Sequence, residues 1–91
     1  MEDNEKKEEI QLPVRLPRSP HLRAVLGEFY DIFKNKQWFW RAELVESHPT
    51  HMTTTLEIYC KYNPVLEMKE ILQFTARHNI ALEMVPFSHQ G

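Results

Sequence analysis

The chain has 91 residues, 42% of them hydrophobic and 11% aromatic, which is enough for one domain with a real core and too few for two. Its formal net charge of −2 is unevenly spread: residues 1–9 hold five acids against two lysines, a net of −3, and the remainder holds nine cations against eight acids, a net of +1. A body so close to neutral lacks the field of a dedicated nucleic-acid binder, 2 glycines are too few for a Gly-rich phosphate loop, and a single cysteine rules out an internal disulfide or a four-thiolate zinc site.

Residues 1–9 carry charge where a secretory signal would be apolar, and no apolar run approaches the roughly 18–20 residues that span a bilayer. The expected setting is therefore cytoplasmic and away from the membrane, with a reducing environment that suits a free thiol. The expected organisation is a disordered acidic tail over 1–9, a single α+β domain over 10–87 and a flexible C-terminus over 88–91.

Residues 10–16 alternate, with Ile10, Leu12, Val14 and Leu16 on one side, as in a strand. Pro13 opposes this, because proline donates nothing to a ladder and is normally confined to edges and bulges. An ordered extended arm is the alternative. Ser19-Pro20 then opens a helix, a hydroxyl cap followed by proline at the first helical position. Leu22, Val25, Leu26, Phe29, Ile32 and Phe33 recur at helical spacing, and the helix ends near Lys34-Asn35-Lys36.

Residues 37–46 read as a strand with Trp38, Trp40, Ala42 and Leu44 facing inward and Phe39, Arg41, Glu43 and Val45 outward. A loop over 47–51 leads into a strand over 52–62, with Thr54, Leu56, Ile58 and Cys60 inward and Glu57, Tyr59 and Lys61 outward. Its brevity predicts an antiparallel hairpin. Asn63-Pro64 repeats the cap-then-proline signal before a second helix, with Val65, Met68, Ile71, Leu72 and Thr75 inward and Phe74 at the margin. His78-Asn79 stops that helix. A last strand over 80–87 turns Ile80, Leu82 and Met84 inward.

With the first strand included, the order βαββαβ predicts a ferredoxin-like sandwich, two helices on one face of an antiparallel sheet. Without it, the order αββαβ predicts a three-stranded sheet with an N-terminal arm.

No sequence pattern supplies a catalytic constellation or calls for a cofactor. His48-x-x-His51 is the most metal-like feature, with Cys60, His89 or His21 as further donors, although turn residues explain it as well. Cys60 reads as a core thiol. On an open sheet face, Phe39, Arg41, Glu57, Tyr59 and Lys61 form the expected interaction surface. RNA-recognition modules use that face with paired stacking aromatics and few acids. Here the acids Glu43, Glu57 and Glu83 intervene, which disfavours nucleic acid. The expected function is a small protein-interaction or regulatory module, binding a protein partner or itself as a homodimer. The alternatives are a single-stranded nucleic-acid binder using Arg15, Arg18, Arg23, Arg41, Tyr59 and Lys61, and a small-molecule sensor or small enzyme around His48, His51 and the tryptophans.

Overall fold

A computed structural model describes residues 16–48 and 52–86. Five elements follow in order: α1 (Pro20–Phe33), β1 (Phe39–Val45), β2 (Thr55–Cys60), α2 (Met68–Arg77) and β3 (Ala81–Pro86). The class is α+β, and among the described residues the strands form one mixed sheet in the order β1-β2-β3. The tail expected over 1–9, all but Leu16 of the segment over 10–16, and residues 88–91 lie outside the described residues.

β1 and β2 pair antiparallel, as the short connection predicted, and β2 pairs directly with β3 in parallel, Leu56 against Leu82 and Ile58 against Met84. This second pairing departs from the ferredoxin-like expectation. In that order a central first strand separates the two strands that flank the second helix, and here they are hydrogen-bonded neighbours with no slot between them. The αββαβ alternative matches the described elements.

Ser19 caps α1 through its hydroxyl, which accepts from the Leu22 amide at 3.3 Å, and Pro20 occupies the first turn. Both helices lie on the sheet face that carries Ala42, Leu44, Leu56, Ile58, Leu82 and Met84. Val25, Leu26, Phe29 and Phe33 of α1 and Ile71 and Phe74 of α2 complete the core. Phe29 sits at the junction, with ring centroids 4.6 Å from Phe33 and 5.3 Å from Phe74. Glu28 clamps the helices from outside, 3.2 Å from Arg77 and 3.3 Å from His78.

A bulge corrects the expected facing of β1. Phe39 pairs with Cys60 and Arg41 with Tyr59, so two steps on β1 match one on β2 and Trp40 is the extra residue. The bulge reverses the alternation upstream of Arg41. Phe39 is therefore a core residue, 7% exposed, packed edge-on to Tyr30 at 5.2 Å, and not part of an outward surface. Trp40 turns to the other face and meets Tyr59 at 5.9 Å. Trp38, just before the strand, is buried against Phe33 as expected.

Tyr30 fixes α1 to β1 in a second way. Its hydroxyl accepts from the Ala42 amide and donates to the Ala42 carbonyl, both at 3.0 Å. Because β1 is an edge of the described sheet, a helix side chain thus satisfies the outward-facing backbone of an edge residue.

Candidate functional site

Two places concentrate polar or exposed apolar groups. The first is the sheet face opposite the helices, where the register sets Glu43 beside Glu57 and Glu57 beside Glu83. Like charges directly opposite one another repel, and the neighbouring groups offset this. Arg41 contacts Glu43 and lies 5.6 Å from the Trp40 ring and 5.5 Å from the Tyr59 ring. His48 Nε2 is 3.0 Å from Glu57 Oε2, and the Tyr59 hydroxyl donates to Glu57 Oε1 at 3.1 Å. Burial pushes the Tyr59 phenol above its ordinary range, and the hydrogen bond to Glu57 and the charges of Glu57 and Glu43 add to the rise. The face is not bare. Glu43 is 6% exposed, Thr55 is fully buried, and His48 is buried with them.

Of the expected interaction surface, Arg41, Glu57 and Tyr59 share this face half-buried and tied to one another. Phe39 is in the core, and Lys61 lies beyond the end of β2, exposed. The suggested metal donors do not gather. His48 is on the charged face and Cys60 on the core face of the same sheet, His21 is exposed on α1, and His51 and His89 fall outside the described residues. Among the described residues no group of three or more His, Cys, Asp or Glu side chains is placed to hold a metal ion. Burial raises the Cys60 thiol to about 11, the opposite of what a nucleophile requires. Of the crevice expected around His48, His51 and the tryptophans, Trp38 stands at the opposite end of β1 from His48, Trp40 shares the face of His48, and His51 lies outside the described residues.

The second place is the connection between β2 and α2, at the carboxyl ends of the parallel strands, where open sheets commonly bind their ligands. Sequence reasoning missed it, because Asn63-Pro64 looks like a helix start and its apolar neighbours like core. Instead, residues 65–67 form a turn and α2 begins only at Met68. Tyr62 is 54% exposed, Val65 69% and Leu66 91%.

This segment is held firmly from beneath. Pro64 is fully buried, and the Lys61 amide donates to the Trp38 carbonyl at 2.7 Å. The Val65 and Glu67 amides donate to Asn63 and Pro64 carbonyls. Glu67 accepts the Trp38 indole N–H at 3.1 Å and sits 3.5 Å from Lys36 Nζ. That engagement explains why Glu67, at the N-cap of α2, makes no side-chain cap. Clefts flank the segment on both sides. One of about 360 Å³ is walled by Lys36, Trp38, Tyr62 and Glu67. Another of about 390 Å³ is walled by Lys61, Tyr62, Met84 and Pro86.

The chain matches no family model, no curated protein and no solved structure. The charged face offers paired groups, Arg41 with Glu43 and Glu57 with both His48 and Tyr59. The β2–α2 end offers apolar side chains that the fold leaves in water. Of the cations expected for nucleic acid, Arg23 donates to the carbonyls of Pro17 and Arg18, Arg41 lies in the charged face, Arg18 and Lys61 are exposed, and Arg15 lies outside the described residues. Among the described residues no helix is long and apolar enough to cross a membrane.

Proposed function

We propose that this protein is a small interaction module whose contact surface is the β2–α2 end, centred on Tyr62, Val65 and Leu66. One observation carries the reading: three neighbouring apolar side chains are displayed on a segment that is pinned by a buried proline and by hydrogen bonds. A frayed loop exposes apolar groups by accident. A pinned one leaves a water-exposed patch whose burial by a partner gives about 25 cal/mol per Å² before association costs, with little additional ordering of the backbone. The reading moves the contact away from the sheet face expected from the sequence, because Phe39 is absent from that face, Arg41 is half-buried against Glu43, and Tyr59 is half-buried and bonded to Glu57.

The test is a photo-crosslinking amino acid placed at position 66, with position 72 on the exposed side of α2 as control, in cells that make the protein natively. The expected result is one discrete adduct from position 66, lost when Val65 is changed to Asp. Equal or absent crosslinking from the two positions refutes the reading.

A further inference from the structure

We infer that the cleft beside Lys61, at the carboxyl ends of the parallel strands, binds a small monoanionic carboxylate with an apolar body. Val65 and Leu66 do not line this cleft, so the inference goes beyond the interaction reading above and does not rest on it. β2 and β3 end side by side, Cys60 against Pro86. A crevice outside the carboxyl ends of parallel strands is where open sheets commonly receive small ligands. This one holds about 390 Å³, near the lower end of the roughly 300–1,000 Å³ of small-molecule sites, so its ligand is small.

Charge selects the ligand's sign. The two clefts that flank Tyr62 are nearly equal in size and differ in charge. In the one walled by Lys36 and Glu67, the two groups are 3.5 Å apart and offset each other. In this one Lys61 is the only charged residue among those lining it, and no described carboxylate pairs with it. Cys60, on the inner wall, is pushed up to about 11 by burial and stays a neutral thiol, so it brings no opposing charge. Beside Lys61, the Tyr62 hydroxyl and the Asn63 carboxamide make no hydrogen bond to another described residue. Three uncommitted donor groups thus belong to one wall, and the β3 wall, Met84 to Pro86, is apolar throughout. A phosphate ester would set about two negative charges against a single lysine. A carboxylate brings one, accepts from ammonium, phenol and amide together, and leaves its apolar body for Met84 and Pro86.

NMR titration of the isotope-labelled full chain tests this, with hexanoate and phenylacetate as probes. Their neutral amides, hexanamide and phenylacetamide, remove the charge, and acetate and inorganic phosphate remove the apolar body. Saturable shifts at Lys61, Asn63 and the Met84 methyl are expected for the two acids, with a dissociation constant of about 0.1–5 mM, and binding at least about fivefold weaker for the amides, acetate and phosphate. Lys61→Gln is expected to bring the acids down to the level of their amides and to keep the parent's thermal unfolding profile, because Lys61 is exposed. Lys69→Gln, at an exposed position on α2, leaves acid binding intact. No saturation by about 20 mM, or shifts that map outside this cleft, overturns the inference. So does equal binding of acid and amide, equal binding of acetate or phosphate, or acid binding that Lys61→Gln leaves unchanged. The interaction reading is decided separately, by crosslinking from position 66.

Discussion

Replacing Phe39 with Ala and, separately, Trp40 with Ala tests the bulge in β1, on which the assignment of both sheet faces depends. Phe39 is 7% exposed and its ring meets Phe29 at 6.0 Å, Tyr30 at 5.2 Å and Trp38 at 5.9 Å. Truncating such a residue costs about 3–4 kcal/mol, from lost burial plus the cavity left behind. Trp40 is half-buried on the other face, against Tyr59 and Arg41. Its truncation costs about 1–2 kcal/mol, from one aromatic contact, one cation–π contact and partial burial. At 0.05–0.15 kcal/mol per residue, a domain spanning 10–87 holds about 4–12 kcal/mol. Phe39→Ala therefore removes a large share of the total and Trp40→Ala a small one. With a urea slope of about 1–1.5 kcal/mol/M, the midpoint falls by about 2–4 M for Phe39→Ala and by about 0.7–2 M for Trp40→Ala. Trp38 remains as the fluorescent reporter in both variants. A strand with unbroken alternation would bury Trp40 and expose Phe39, reversing the order. A larger loss for Trp40→Ala than for Phe39→Ala refutes the bulge.

Glu67→Ala removes the acceptor of the Trp38 indole and the partner of Lys36; it is expected to cost about 1–2 kcal/mol and to alter Trp38 emission in a Trp40→Phe background. Asn79 holds φ 56° just after α2, so Asn79→Gly is expected to be neutral or slightly stabilising and Asn79→Val to cost about 1–2 kcal/mol in thermal unfolding. Cys60 rises from an ordinary 9.0 to about 11 in the folded chain, so the folded state holds its proton more tightly than the unfolded state does. The resulting stability is complete below pH 9 and is lost as pH climbs through about 11, and denaturation series should show a shallower alkaline decline for Cys60→Ala. The same thiol should resist alkylation at pH 8 until the protein unfolds.

The helices, the hairpin and the inward faces of β2 and β3 were legible because their apolar spacing is regular. Leu56, Ile58 and Cys60 alternate on β2 and Leu82 and Met84 on β3, and Ser19-Pro20 marks the start of α1 by capping chemistry. The facing of β1 before Arg41 was not legible. In Trp38-Phe39-Trp40 every residue is aromatic, so hydrophobicity carries no alternation from which a bulge can be detected. The start of α2 misled for a related reason. Asn63-Pro64 resembles a cap, but Pro64 is buried beneath a turn, the helix begins four residues later, and its inward stripe becomes Ile71, Phe74 and Thr75, leaving Leu72 exposed. The adjacent apolar pair Val65-Leu66 gives no warning of the β2–α2 end, because α1 buries the adjacent pair Val25-Leu26 in a single stripe.

The phenol of Tyr30 has a consequence for self-templating. A bare border strand invites any extended peptide to add itself, and repeated addition is how fibrils elongate. At Ala42, midway along β1, the helix has inserted one side chain where a rung of such an addition would form, at 3.0 Å to both backbone partners. An incoming chain has to evict that ring before it can zip along the strand. Tyr30→Phe, which keeps the ring and deletes two bonds, should therefore fibrillate sooner in agitated thioflavin assays even under conditions where it remains folded.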